Sequence, residues 1–98
     1  MTKEEIHKIC RRYNIEDYTI NSDMSIDTDD FVNFFDSDLY TIPLKFNKAN
    51  LGLNCSFNNL TTLKNSPKYM KGSFFCDFND LETLKDAPKY IKGDFNLE

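Results

Sequence analysis

From Leu39 onward the apolar and polar positions of the chain repeat in one frame every 21 residues. The segment starting at Leu60 reads LTTLKNSPKYMKGSFFCDFND, and the segment from Leu81 reads LETLKDAPKYIKGDFNLE. Leu60 falls over Leu81, Leu63 over Leu84, Pro67 over Pro88, Tyr69 over Tyr90, Gly72 over Gly93 and Phe74 over Phe95. An earlier and more divergent copy, LYTIPLKFNKANLGLNCSFNN, starts at Leu39 and keeps Ile42, Leu53, Cys55 and Asn58 in register. One further step back reaches Phe31 to Asp38, where Val32 and Phe34 take the strand positions and Ser37 stands in place of the asparagine. A fixed period of this length is the mark of a solenoid, in which each repeat covers the apolar face of its neighbour.

Within each repeat, inward residues such as Phe74 and Cys76 alternate with polar or exposed ones, the period of a strand buried on one face. Four parallel rungs are predicted, at Phe31–Phe35, Gly52–Ser56, Ser73–Asp77 and Asp94–Leu97. Asn58 and Asn79 follow the rungs, where a side-chain amide can satisfy backbone groups freed as the chain turns away. Leu81 and Leu84 and their equivalents turn inward again. Pro67 and Pro88 fall where no ladder is expected to need an N–H, and Gly72 and Gly93 are read as the bend into the next strand. Rungs spaced about 4.8 Å apart make a stack of only about 15 to 20 Å, too short to stand without caps.

The cap is legible at the N-terminus. Thr2 to Tyr13 reads as an amphipathic helix, with Thr2 and Glu5 as a capping box and Ile6, Ile9, Cys10 and Tyr13 on one stripe. Lys8, Arg11 and Arg12 sit where positive charge offsets the helix dipole, and Asn14 suits a left-handed stop. Tyr18–Ile20 and Ser25–Asp27 are expected to pair as a hairpin around Asn21–Met24 and to lead into the first rung. The expected fold class is therefore α+β: a short solenoid of stacked parallel strands, one domain over residues 1–98, with helix and hairpin over 1–30 and repeats over 31–98. The sequence stops in mid-repeat, so Asp94, Phe95, Asn96 and Leu97 would form an edge strand with unpaired backbone groups. Self-association through that edge as a two-fold homodimer is expected.

Composition supports a packed core, since nine Phe, five Tyr and 40% hydrophobic residues supply the buried area that a disordered chain lacks. Sixteen acids against twelve bases give a net charge of −4, which disfavours a protein whose main partner is nucleic acid. No stretch approaches about 18 apolar residues, and Met1 to Cys10 lacks the apolar run of a secretion signal, so a cytoplasmic protein without membrane contact is expected. Three cysteines, Cys10, Cys55 and Cys76, fit reduced thiols in that compartment.

Taken together, the strings ICRRYNI, DYTIN, NNLTTLKNSPKYMKGSFFC and NDLETLKDAPKYIKGDF resemble the leucine-rich-repeat-like proteins of tailed bacteriophages. That family pattern is a helix ending in Cys, basic residues and Tyr, then a Tyr-Thr-Ile-Asn hairpin. Repeats of the form N-x-L-T-x-L-x-x-x-P-x-x-x-x-G-x-F-x-C follow. The resemblance covers nearly the whole chain and departs from the pattern at Ser37 and Leu97. It implies a leucine-rich-repeat-like solenoid and a small accessory phage protein. Such proteins often inhibit host enzymes or defence systems, so the resemblance also implies a host protein partner in the infected cell, such as a defence-system ATPase or a nuclease component.

Candidate chemistry is sparse. The only histidine, His7, lies on the helix beside its buried stripe and is expected at the solvated surface. Cys55 and Cys76 hold equivalent inward positions and read as small core residues, since no further ligands complete a metal site. Asp23 to Asp30, DMSIDTDD, has oxygens at alternating positions but offers Thr28 where a calcium loop wants Gly and Phe34 where it wants Glu, so a polar strand and turn is expected. No enzyme activity, cofactor or metal is expected.

The surfaces carry more information. On the outward face of the rungs, Phe31, Phe35 and Phe75 alternate with Asn33, Asn54, Asp77, Asn96 and Glu98, and Phe57 and Phe78 recur just after the strands as a structural ladder. Aromatics flanked by acids suit a protein interface with a basic partner. The cap adds Asp23, Asp27, Asp29, Asp30, Asp36 and Asp38, an acidic surface able to compete for a DNA-binding surface on another protein. Elsewhere Lys45, Lys48, Lys64, Lys68, Lys71, Lys85, Lys89 and Lys92 form a ridge with Tyr69 and Tyr90, expected to be solvated, with nucleic-acid contact as the second reading and an assembly role as the third.

Overall fold

The structure is a computed structural model describing residues 1–98. Helix α1 spans Lys3–Arg12 and is capped as the sequence dictates: the Glu5 N–H donates to Thr2 Oγ1 at 3.2 Å and the Thr2 N–H donates to Glu5 Oε1 at 2.9 Å. It ends through Asn14 in the left-handed conformation (φ 58°), with the Ile15 N–H returning to the Cys10 carbonyl at 2.8 Å. Ile6 and Cys10 are buried, and Tyr13 packs edge-on against Phe34 at a centroid distance of 4.7 Å. The apolar stripe thus covers the first end of the stack.

Strands β1 (Tyr18–Ile20) and β2 (Ile26–Thr28) pair antiparallel as the expected hairpin. From there the chain winds as an α+β short solenoid, and each coil lays down one strand in each of two parallel sheets. One sheet contains β3 (Val32–Asn33), β5 (Leu53–Asn54), β7 (Phe74–Phe75) and β9 (Phe95–Asn96). These are the four predicted rungs, each stepping 21 residues to its neighbour.

The other sheet was not anticipated. It contains β4 (Phe46–Ala49), β6 (Tyr69–Met70) and β8 (Tyr90–Ile91), and the hairpin joins it through the parallel pair β2–β4, in the order β1-β2-β4-β6-β8. The hairpin therefore extends this second sheet, while the first rung starts the opposite one. Pro67 and Pro88 stand two residues before β6 and β8. The next residue already pairs, Lys68 N–H with Asn47 O and Lys89 N–H with Lys68 O, both at 2.9 Å. One coil earlier the equivalent Phe46 N–H donates to Asn65 O at 3.1 Å, so each proline gives up that donor just outside its two-residue strand.

Gly72 and Gly93 have no left-handed φ; what they provide is proximity. A Cβ on Gly72 would lie 2.5 Å from the Leu51 carbonyl carbon and oxygen, and one on Gly93 would lie 2.7 Å from the same atoms of Gly72. The corner between the sheets is thus closed by backbone stacked on backbone. The core runs from Ile6 through Phe34, Phe46, Leu53, Leu60 and Leu63 to Phe74, all fully buried.

Candidate functional site

The outward face of the rung sheet collects most of the aromatic positions singled out in the sequence. Asn33, Asn54, Phe75 and Asn96 form its central column in register. Exposed Asn33 and half-buried Asn54 each accept from the backbone two residues on, the N–H groups of Phe35 (3.0 Å) and Ser56 (2.9 Å). Phe31 and Phe35 are each 47% exposed, and the Phe31 ring lies over Gly52. Asp77 is engaged in the stack, accepting from the Glu98 N–H at 2.9 Å.

Beside this column runs an aromatic ladder of Phe35, Phe57 and Phe78. Phe35 meets Phe57 edge-on at 5.2 Å, and Phe57 stacks on Phe78 at 4.5 Å with the planes 26° apart. The rings support one another yet stay 48% and 59% exposed at Phe57 and Phe78. Both residues hold left-handed backbone, φ 60° and 57°, as does Asp36 (φ 49°) at the equivalent position one coil earlier. Aspartate adopts that conformation at modest cost, whereas a bulky aromatic adopts it rarely. Two successive coils nonetheless place phenylalanine there. Asp36 and Asp38 are exposed beside the ladder.

The remaining cap aspartates are divided among local bonds. Asp30 Oδ2 accepts from the N–H groups of Glu16 (2.6 Å) and Asp17 (2.7 Å), closing the turn after α1. Asp29 accepts from Asn50 Nδ2 at 2.6 Å, and Asp27 accepts from Asn21 (3.2 Å) and Asn47 (2.9 Å). Asp23 accepts from Ser25 Oγ and N–H and pairs with Lys45 at 3.3 Å. No three His, Cys, Asp or Glu side chains converge so as to hold a metal ion.

His7 is exposed, but it is not free: its Nδ1 hydrogen-bonds the Tyr18 hydroxyl, tying α1 to the hairpin. Cys10, Cys55 and Cys76 are buried free thiols. Burial pushes Cys10 above the ordinary thiol range, and burial together with the neighbouring Cys76 thiol pushes Cys55 well above it. A raised pKa disfavours the thiolate form at Cys10 and Cys55.

No known family, curated protein or solved structure matches the chain. No helix is long and apolar enough to cross a membrane.

The far end of the stack is where burial fades. Leu60, Leu63, Met70, Phe74 and Cys76 are at most 1% exposed, but in the next coil Leu84 reaches 55% and Leu97 38%, and Leu81, Ile91 and Phe95 are half-buried. The Phe95 ring stacks on Phe74 at 5.3 Å.

Proposed function

We propose that this protein is a non-enzymatic binding module whose aromatic rung face docks a basic surface of a protein partner. The observation that carries this reading is the exposed Phe35–Phe57–Phe78 ladder with Phe57 and Phe78 in left-handed backbone. Strained, exposed aromatics persist where a surface is used, and aromatic clusters dominate interface energetics. Phe31, Asn33, Asn54, Phe75 and Asn96 complete the patch, and Asp36, Asp38, Asp77 and the exposed Glu98 bias it toward a basic partner. Occupation of His7 by Tyr18 and the raised pKa values of Cys10 and Cys55 support a role without covalent or acid–base chemistry.

The sequence resemblance to phage leucine-rich-repeat-like proteins supports a phage-encoded inhibitor acting in the host cytoplasm on a defence or restriction component, such as an ATPase or nuclease subunit. The test is affinity capture from infected-host lysate with the wild-type chain and with Phe57→Asp/Phe78→Asp. Aspartate is native to this backbone position at Asp36, so the variant is expected to fold and to lose a stoichiometric partner that the wild type retains. Equal capture by both chains, or no stoichiometric partner for either, rejects the proposal.

A further inference from the structure

The net charge of −4 averages over two faces of opposite sign. Eight of the twelve basic residues fall between Lys45 and Lys92, and all eight are exposed. The second sheet, absent from the sequence reading, organises them. Its outward column runs in register from Asp27, whose carboxylate accepts from Asn21 and Asn47, through Lys48, Tyr69 and Tyr90, with the tyrosines 45% and 55% exposed. Lys68 and Lys89 precede the two tyrosines and Lys71 and Lys92 follow them, so an aromatic column lies between two lysine columns, each with a repeat of one rung.

The face is also indented. A groove of about 300 Å³ is lined by Lys48, Asn50, Tyr69, Met70, Lys71 and Tyr90. Next to it a hollow of about 170 Å³ has Lys45, Ser66, Lys68 and Lys89 in its lining, with Asp86 as the one carboxylate. Ser66 Oγ is the only buried side-chain polar atom in the chain without a hydrogen-bond partner. Lys45 is held by Asp23, and no other lysine has an ion-pair partner. Five unpaired lysines beside two exposed rings combine phosphate neutralisation with stacking surface, the pairing that single-stranded nucleic acid requires. Duplex offers no base faces to the tyrosines, and the face projects no helix that could enter a groove.

We infer that the lysine–tyrosine face of the second sheet is a binding site for single-stranded nucleic acid, its bases against Tyr69 and Tyr90 and its phosphates along Lys48, Lys68, Lys71, Lys89 and Lys92. It lies on the opposite sheet from the phenylalanine ladder, so the two sites are separable by substitution.

The test is anisotropy of a labelled single strand of about 20 nucleotides, with the matched duplex, heparin and anionic phosphatidylserine vesicles as comparisons. Binding is expected in the micromolar range at about 50 mM salt, weakening with a log–log slope of about −3.5 for five phosphate contacts. Lys71→Gln/Lys92→Gln should flatten the slope by about 1.4. Tyr69→Ala/Tyr90→Ala should weaken binding about tenfold or more with the slope unchanged, while Phe57→Asp/Phe78→Asp should bind the strand as the wild type does. Thermal melts confirm that each variant is folded. Absence of strand binding at about 20 mM salt, affinity for duplex or heparin equal to that for the single strand, binding to vesicles alone, or indifference to the tyrosine substitutions overturns the inference.

Discussion

Asn58 reaches across to Phe34, 24 residues earlier in the chain, donating from Nδ2 to its carbonyl at 2.8 Å. The same amide donates to Cys55 O at 2.9 Å, and its Oδ1 accepts from Ser37 N–H (2.9 Å) and Leu39 N–H (3.0 Å). With a longer bond to Ser56 O at 3.4 Å, one side chain thus serves five backbone groups in two coils. Asn79 repeats the pattern onto Cys55 O (3.0 Å), Cys76 O (3.2 Å) and Leu60 N–H (2.9 Å). Asn58→Leu keeps the volume and strands those groups away from water, which should cost about 3 kcal/mol. Asn79→Leu, at a half-buried position, should cost less. Urea unfolding measures both, and equal losses would show that burial does not grade the ladder.

Gly72 meets Leu51 backbone where a Cβ would stand, and backbone cannot swing aside as a side chain can. Gly72→Ala is therefore expected to force the two coils apart and cost about 2 to 3 kcal/mol, at the upper end for overpacking. The alanine at Gly93 would press on Gly72 in the less buried last coil, where the stack has more room to give. A Gly72→Ala chain with unchanged denaturation midpoint would disprove the close-approach reading.

What the sequence disclosed and what it hid both follow from local physics. The rung sheet was visible because Phe74 and Cys76 alternate with outward residues over enough positions to show a two-residue period, and because Asn58 and Asn79 punctuate it. The cap was visible because Thr2, Glu5 and Asn14 carry their own capping chemistry. The second sheet stayed hidden because inward and outward positions do not alternate around β6 and β8: Lys68 and Tyr69 are both exposed, as are Lys89 and Tyr90, and a proline precedes each pair. A single alternation is no period, and only the coil-to-coil ladder makes these strands. The acidic residues looked like one cluster in the sequence because Asp23 to Asp38 are close along the chain. In space Asp27, Asp29 and Asp30 are spent on side-chain and turn bonds.

Leu63 and Leu84 are one repeat apart but differ in burial from 0% to 55%. Leu63→Ala should cost about 3 to 4 kcal/mol by emptying a closed core, and Leu84→Ala under about 1 kcal/mol. The contrast is expected to narrow if the end face is covered by a second copy of the 98-residue chain, as the sequence reading expects for the edge of Asp94, Phe95, Asn96 and Leu97. Sedimentation should then give a dimer at tens of micromolar, and Phe95→Glu should return it to monomer by placing a charge between two apolar ends. A wild-type monomer at that concentration removes the two-fold arrangement and leaves the burial contrast at its full size.

Asp23 supplies the pH dependence that can be assigned to one residue. Its carboxylate accepts from Ser25 Oγ at 2.6 Å and from the Ser25 N–H at 3.0 Å, with Lys45 Nζ at 3.3 Å from its other oxygen. The Ser25 bonds first, and Lys45 after them, lower its pKa from 3.8 to about 2. A group whose pKa is lower in the folded chain binds its proton more readily unfolded, so it stabilises the fold fully above the unfolded value. That contribution fades as pH falls from about 4 toward 2. Asp23→Asn should therefore flatten the melting-temperature profile over that interval and leave the slope above about pH 5 unchanged. Added salt should weaken only the Lys45 share, because the Ser25 bonds close a turn of three consecutive residues and need no distant charge. An Asp23→Asn chain with the wild-type slope between about pH 4 and 2 would move the acid sensitivity to other carboxylates.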